Sequence, residues 1–316
     1  MKKGFSSSHY AYSMLELIFV IVILGIVSSI GSQVIVGVYE SYLTQRALHR
    51  TSTKTELAIS QIANRLSHSI EGTVIGRKDD SKITPISNIP FSGVNDYKIL
   101  EWIGSDDDGF TAVTDATLKP EWSGYCDINA SVLNRVSTPG SKLSSLNTII
   151  QALSSPGATT SVSDAVILFP GATAHTVGFV ETGRKSSNVH PVQSVNADGN
   201  ITLDNRAAPD SNRTVKEHYK LAWSAYAIVP LKITGTTLTN RGFNASDNVY
   251  DIFLYYDYQP WDGEKYSNGS NKVLLRNVSV FKFTGTEGSI RIKVCQRENV
   301  GGNYSLSTCK EKVIIR

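Results

Sequence analysis

The chain has 316 residues, 41% of them hydrophobic and 19% charged, with 24 Gly and 10 Pro. That composition excludes a disordered acidic tail, a collagen-like repeat, a disulfide-dense toxin and a multi-span membrane protein. Lys and Arg number 31 against 28 Asp and Glu, and the resulting net charge of +3 gives no support for a nucleic-acid partner. The mean hydropathy of −0.13 is an average over unlike parts. Its most apolar part runs from Leu17 to Val38, without Asp, Glu, Lys or Arg. A helix over those 22 residues is about 33 Å long, enough to cross a hydrocarbon layer of about 30 Å.

The flanks of that segment carry more information than the segment itself. Lys2 and Lys3 precede it, so the positive-inside tendency keeps the N-terminus cytoplasmic and sends the bulk of the chain outside. Glu16 sits at the mouth of the apolar run, and the next ionised residue is Glu40. A carboxylate at the edge of a membrane costs a few kcal/mol unless it is solvated by headgroups or given a partner. A free amine beside it, created by a cut just before Tyr12, would be such a partner.

The run Ala11-Tyr12-Ser13-Met14-Leu15-Glu16-Leu17-Ile18-Phe19-Val20-Ile21-Val22, behind a short basic leader, resembles the prepilin-type leader of type IV pilins and type II secretion pseudopilins. The resemblance covers roughly the first 40 residues. It implies cleavage between Ala11 and Tyr12 by a prepilin peptidase, N-methylation of Tyr12, and docking of Glu16 on the N-terminal amine of an adjacent subunit. Ala11 stands where the family usually has Gly, and Tyr12 where Phe is commonest. The implied partners are other pilins or pseudopilins, met through the N-terminal helix. The implied location is the inner membrane, crossed once, with a periplasmic head, and then a pilus or pseudopilus. The large head implies a minor subunit, with the tip as one location and the shaft as the other, and the lack of a catalytic motif predicts no enzymatic activity. The rival expectation is a single-pass, membrane-anchored periplasmic enzyme or ligand-binding protein in which Glu16 is incidental.

After Val38 the sequence turns polar but stays free of Pro and Gly to Ile70. Leu57, Ala58, Ile62, Arg65, Leu66, Ser69 and Ile70 recur at helical spacing, predicting an amphipathic continuation that packs on a sheet. The expected divisions are a leader over 1–11, an assembly half-helix over 12–38, an amphipathic half over 39–71 and a β-rich head over 72–316. The fold class is α+β, with an antiparallel head. Within the head, 79–210 reads as an irregular lobe and 218–316 as a regular sheet. Alternation and turn signals place strands at 165–169, 176–180, 221–229, 249–256, 272–276, 278–283, 289–295 and 312–316, with a weaker one at 98–103 and a short helix within 143–153.

Three cysteines are present, in a compartment that permits disulfides. Cys295 ends one strand and Cys309 precedes another, so a bridge between them would staple the loop over 296–308; two separate buried thiols are the alternative. Pilins often close a C-terminal loop in this way. Cys126 is left over, as a buried small residue or an intermolecular link. Asp106, Asp107 and Asp108 offer oxygen ligands for Ca²⁺, as in some pseudopilin loops, although the run does not continue as an EF-hand and also reads as a solvated loop. The sequence contains no nucleophile elbow, P-loop, dinucleotide fingerprint or paired-His zinc helix, and its six histidines are dispersed.

Overall fold

The computed structural model describes residues 13–78, 83–89, 97–113, 118–169, 179, 189–204, 215–286, 288–301 and 304–315. The chain divides into two compact units, residues 1–50 and 51–316. The protein is α+β: one long N-terminal helix followed by an antiparallel β-rich head.

Helix α1 runs unbroken from Met14 to Ser67, 54 residues. Its N-terminal turn is capped by Ser13, whose hydroxyl accepts from the Glu16 amide at 3.2 Å. Within the first unit no helical residue is buried. Within the second, the buried positions are Thr51, Thr55, Ala58, Ile59, Ile62, Ala63 and Leu66, the three- and four-residue spacing of a single packed face. That face differs from the expected stripe, since Leu57 is 60% exposed and Arg65 points outward, while Ile59 and Ala63 go inside. The two threonines are tolerated because Thr55 donates its hydroxyl proton to the Thr51 carbonyl at 2.8 Å, leaving no orphaned donor.

The face of α1 packs on an eight-stranded sheet. Its strands are β1 (Ile75–Arg77), β2 (Ile83–Pro85), β3 (Ile99–Ile103), β10 (Ala225–Lys232), β11 (Tyr250–Tyr256), β12 (Ser270–Gly285), β13 (Ser289–Gly301) and β14 (Tyr304–Ile315), in the order β14-β13-β12-β11-β10-β3-β1-β2. Side-chain alternation sends Leu100, Trp102, Ile228, Ile252, Leu254, Ile292 and Val294 toward α1. The odd-numbered Ile99, Ile103, Ala225, Ala227 and Val229 face the other way. There they meet Val166, Leu168 and Val189 of a second, six-stranded sheet. That sheet comprises β4 (Asp127–Val132), β5 (Arg135–Ser137), β6 (Val166–Leu168), β7 (Val189–Asn196), β8 (Asn200–Leu203) and β9 (Lys220–Ala222). A separate core around Trp122, Leu146, Ile150 and Tyr219 lies between it and α3 (Leu146–Leu153). Two short helices complete the described α-helices, α2 (Asp107–Thr111) and α4 (Gly235–Asn240).

Several strand boundaries differ from expectation for identifiable reasons. The expected strand 221–229 is two strands in different sheets, because the chain steps across at Trp223 and Ser224 to place the Trp223 indole against Asp106. The expected 272–276 and 278–283 are one strand, β12, interrupted by a register shift where Asn277 takes φ 59°. The sheets also cut across the expected lobes: β2 and β3 belong to the regular sheet, and β9 to the other. Of the expected strand 176–180, only Phe179 lies among the described residues.

Candidate functional site

The strongest candidate is the first unit's part of α1. From Met14 to Val38 it carries seventeen large apolar side chains, each more than half exposed, among them Leu17 57%, Phe19 61% and Ile35 71%. Covering one such side chain is worth roughly 1.5–3 kcal/mol, so the segment as a whole stands to gain tens of kcal/mol from burial. None of the described residues supplies that cover, and the helix is long and apolar enough to cross a membrane. Glu16 lies in its first turn, where the positive end of the helix dipole favours a carboxylate. Ala11 and Tyr12 lie outside the described residues.

The three consecutive aspartates are not assembled as a joint ligand set. Asp106 is buried and serves as the N-cap of α2, its Oδ1 accepting from the Gly109 amide at 3.3 Å. Oδ1 also accepts from the Trp223 indole at 3.2 Å, and Oδ2 from the Trp122 indole at 3.1 Å. Burial raises the Asp106 pKa to about 6, with the three N–H donors opposing that shift. Asp107 is half-buried and pairs with His68, just beyond the end of α1, and Asp108 is exposed. Among the described residues, no three His, Cys, Asp or Glu side chains converge as a metal site. Composition alone marked the aspartates; the two tryptophans that occupy Asp106 are 16 and 117 residues away.

Between the end of α1 and α2 lies a polar cleft of about 500 Å³. Asn64, Arg65 and His68 form one wall, and Ser105, Asp107 and Asp108 the other. The Arg65 guanidinium sits 5.4 Å over the Tyr226 ring, which stacks in turn on Trp102 at 5.8 Å.

Cys295 and Cys309 are bonded and stand directly opposite each other on β13 and β14. Residues 296–308 are not a free loop: Gln296 pairs with Thr308, Arg297 with Ser307 and Glu298 with Leu306, so the hairpin continues past the bridge. Cys126 is a free, fully buried thiol in the core of the second sheet, with burial raising its pKa. His190 is likewise buried, its ring edge-on to Phe169 at 5.1 Å.

Three polar clusters had no sequence signal. Arg77 and Glu101 form a buried bidentate ion pair, at 2.6 and 3.1 Å. Arg241 grips Asp251 at 2.7 and 2.9 Å. Asp257, beyond β11, accepts from the Ser155 amide at 2.7 Å and the Thr160 hydroxyl at 2.8 Å, tying the chain after α3 to the eight-stranded sheet. The partners stand 24 and 10 residues apart in the two ion pairs and 97 to 102 apart around Asp257, at spacings that no local pattern marks. Comparison of the chain with protein-family models, curated protein sequences and solved structures finds no match.

Proposed function

We propose that the protein is a pilin-like or pseudopilin subunit. In this reading it is held in the inner membrane with its head in the periplasm, cleaved between Ala11 and Tyr12, and assembled through its N-terminal helix into a type IV pilus or a type II secretion or DNA-uptake machine. The observation that carries the reading is the pairing of an apolar helix bare on every side with a single carboxylate, Glu16, at its start. A plain anchor needs the first but not the second, because a carboxylate at that end of a span is a cost unless it is solvated or given a partner. The resemblance of residues 11–22 to prepilin leaders supplies the partner, a new N-terminal amine. The head carries its own buried cores, one of them shared with the second unit's part of α1.

Mass spectrometry of the membrane-extracted protein tests the reading. A mature chain beginning with N-methylated Tyr12 is expected. An intact Met1, or a cut beyond Val38, sinks it and favours an anchored or secreted periplasmic protein instead. Glu16→Ala should leave the chain cleaved but excluded from filaments, and normal incorporation of that variant removes the docking role.

A further inference from the structure

Glu40 and Arg46, both on the first unit's part of α1, are exposed, and neither has a partner among the described residues. They cannot pair within one helix, since six residues turn the chain through about 240° and separate the two side chains onto different faces. Six residues also correspond to a rise of about 9 Å. We propose that this helix pairs with the same helix of a second copy, parallel and displaced by six residues, so that Glu40 of one copy meets Arg46 of the next. The proposal rests on the assembly reading above and adds its register and its charge pair.

The alternatives are worse by simple counting. With no displacement, Glu40 faces Glu40 and Arg46 faces Arg46. A displacement of four sets Arg46 against Arg50, and Arg50 against Lys54. A displacement of ten pairs Glu40 with Arg50, but carries the chain start at Tyr12 six residues past Glu16 of the neighbour, about 9 Å and beyond a carboxylate's reach. At six the excess is two residues, about 3 Å, which the glutamate side chain spans.

The glycines agree with the same displacement. A Cβ at Gly25, Gly31 or Gly37 would meet nothing within 4 Å, so no contact with a described residue requires glycine at these positions. At a shift of six, Gly25 of one copy is level with Gly31 of the next. Gly25 lies within about 60° of Glu40 around the helix, and Gly31 within about 60° of Arg46, so each glycine shares a face with its charge. Two backbones can therefore approach closely about 22 Å along the helix from the charge pair, on the same side of each helix. The two faces differ, which makes the contact heterologous and able to continue from copy to copy. Two neighbouring copies are enough to satisfy it.

The test uses the full-length chain in its native membrane. In the proposed register Val36 of one copy lies beside Tyr42 of the next, so the paired substitutions Val36→Cys and Tyr42→Cys should give an oxidative ladder of dimers and higher species. Either substitution alone should give none. In the paired background, Glu40→Arg and Arg46→Glu should each cut the ladder about tenfold, and the two together should restore it. A ladder indifferent to either charge reversal overturns the proposal, as does cross-linking from Val36→Cys alone or only to a different protein. If the chain is cleaved before Tyr12 and enters filaments without a 36–42 ladder, the register is wrong and the assembly reading stands. If it is neither cleaved nor incorporated, the assembly reading falls and takes the register with it.

Discussion

The Asp106 carboxylate and the Trp223 indole meet at 3.2 Å across 117 residues of sequence. Asp106 begins α2, just after the end of β3, while Trp223 sits at the step from β9 to β10. The one hydrogen bond therefore fixes the place where the chain changes sheets. Trp122 completes the clasp and is doubly satisfied, because its N–H also reaches the Asp106 carbonyl at 2.9 Å. A buried carboxylate with three donors still lacks the solvation of water, and burial wins over hydrogen bonding in setting its pKa to about 6.

That balance gives the head a stability component that falls with rising pH. Asp106 has an ordinary value of 3.8 when unfolded and about 6 when folded. The folded state therefore holds a proton that the unfolded state has lost between those two values. The component is fully present below pH 3.8 and is lost as the pH rises through about 6, a change of about 3 kcal/mol. Asp106→Asn removes it, and the amide still offers an oxygen to Trp223 while Trp122 keeps the backbone carbonyl. Denaturant midpoints of the two proteins, read by tryptophan fluorescence from about pH 4 to about pH 8, should diverge, with the wild type losing ground to the variant as pH rises. Parallel curves would show that Asp106 does not titrate in this range.

Arg77 and Glu101 pose the opposite problem, because both charges are buried and each needs the other. The side chains are 8% and 1% exposed. Glu101→Gln leaves an uncompensated guanidinium in the core and should cost roughly 3–5 kcal/mol. Arg77→Met combined with Glu101→Leu removes both charges together and should recover most of that loss. Urea titrations of the three proteins check this, and a double variant no better than Glu101→Gln would contradict it.

The long helix was legible in the sequence because its apolar residues are contiguous and free of Pro, so local order decides it. The antiparallel strands of the C-terminal region were legible for a similar reason, as in β13, where Ile290, Ile292 and Val294 alternate with Arg291 and Lys293. Sheet membership was not. Nothing local distinguishes Lys220–Ala222 from Ala225–Lys232, and the break between them is set by Asp106, far upstream. For the candidate site, Glu16 stands out as the one charge beside an apolar run. The register proposed through Glu40 and Arg46 emerges only when two helices are set side by side.

The bridge between Cys295 and Cys309 holds an edge. Among the described strands, β14 has a neighbour on one side only, β13. Just past the bridge, Arg297 donates to Ser305 at 3.0 Å and to Asp247 at 2.9 Å. Its guanidinium also lies 5.5 Å over Phe243. Cys309→Ser should cost about 2–4 kcal/mol. It should also raise amide exchange in residues 304–308 and in 241–249 together, because Arg297 couples them. Faster exchange confined to β14 would mean that the loop bearing Asp247 stands without the hairpin.

At Asn277 the residue type matters to the backbone as well as to a side-chain contact. It is a non-glycine residue at φ 59° in the middle of β12, at the point where the register with β11 shifts. Its amide donates to Asp251 Oδ1 at 3.1 Å, and its side-chain oxygen accepts from Arg241 at 2.9 Å. Asparagine tolerates the left-handed backbone better than other L-residues and supplies an acceptor to the arginine already bound to Asp251. Asn277→Gly keeps the backbone and loses the acceptor, so it should cost about 1 kcal/mol. Asn277→Val loses the acceptor and adds left-handed strain at a β-branched residue, for a total of about 2–3 kcal/mol. The order of the two, measured by chemical denaturation, is the diagnostic. If valine is tolerated as well as glycine, the bulge is free to slide and the Arg241–Asp251 pair does not hold it.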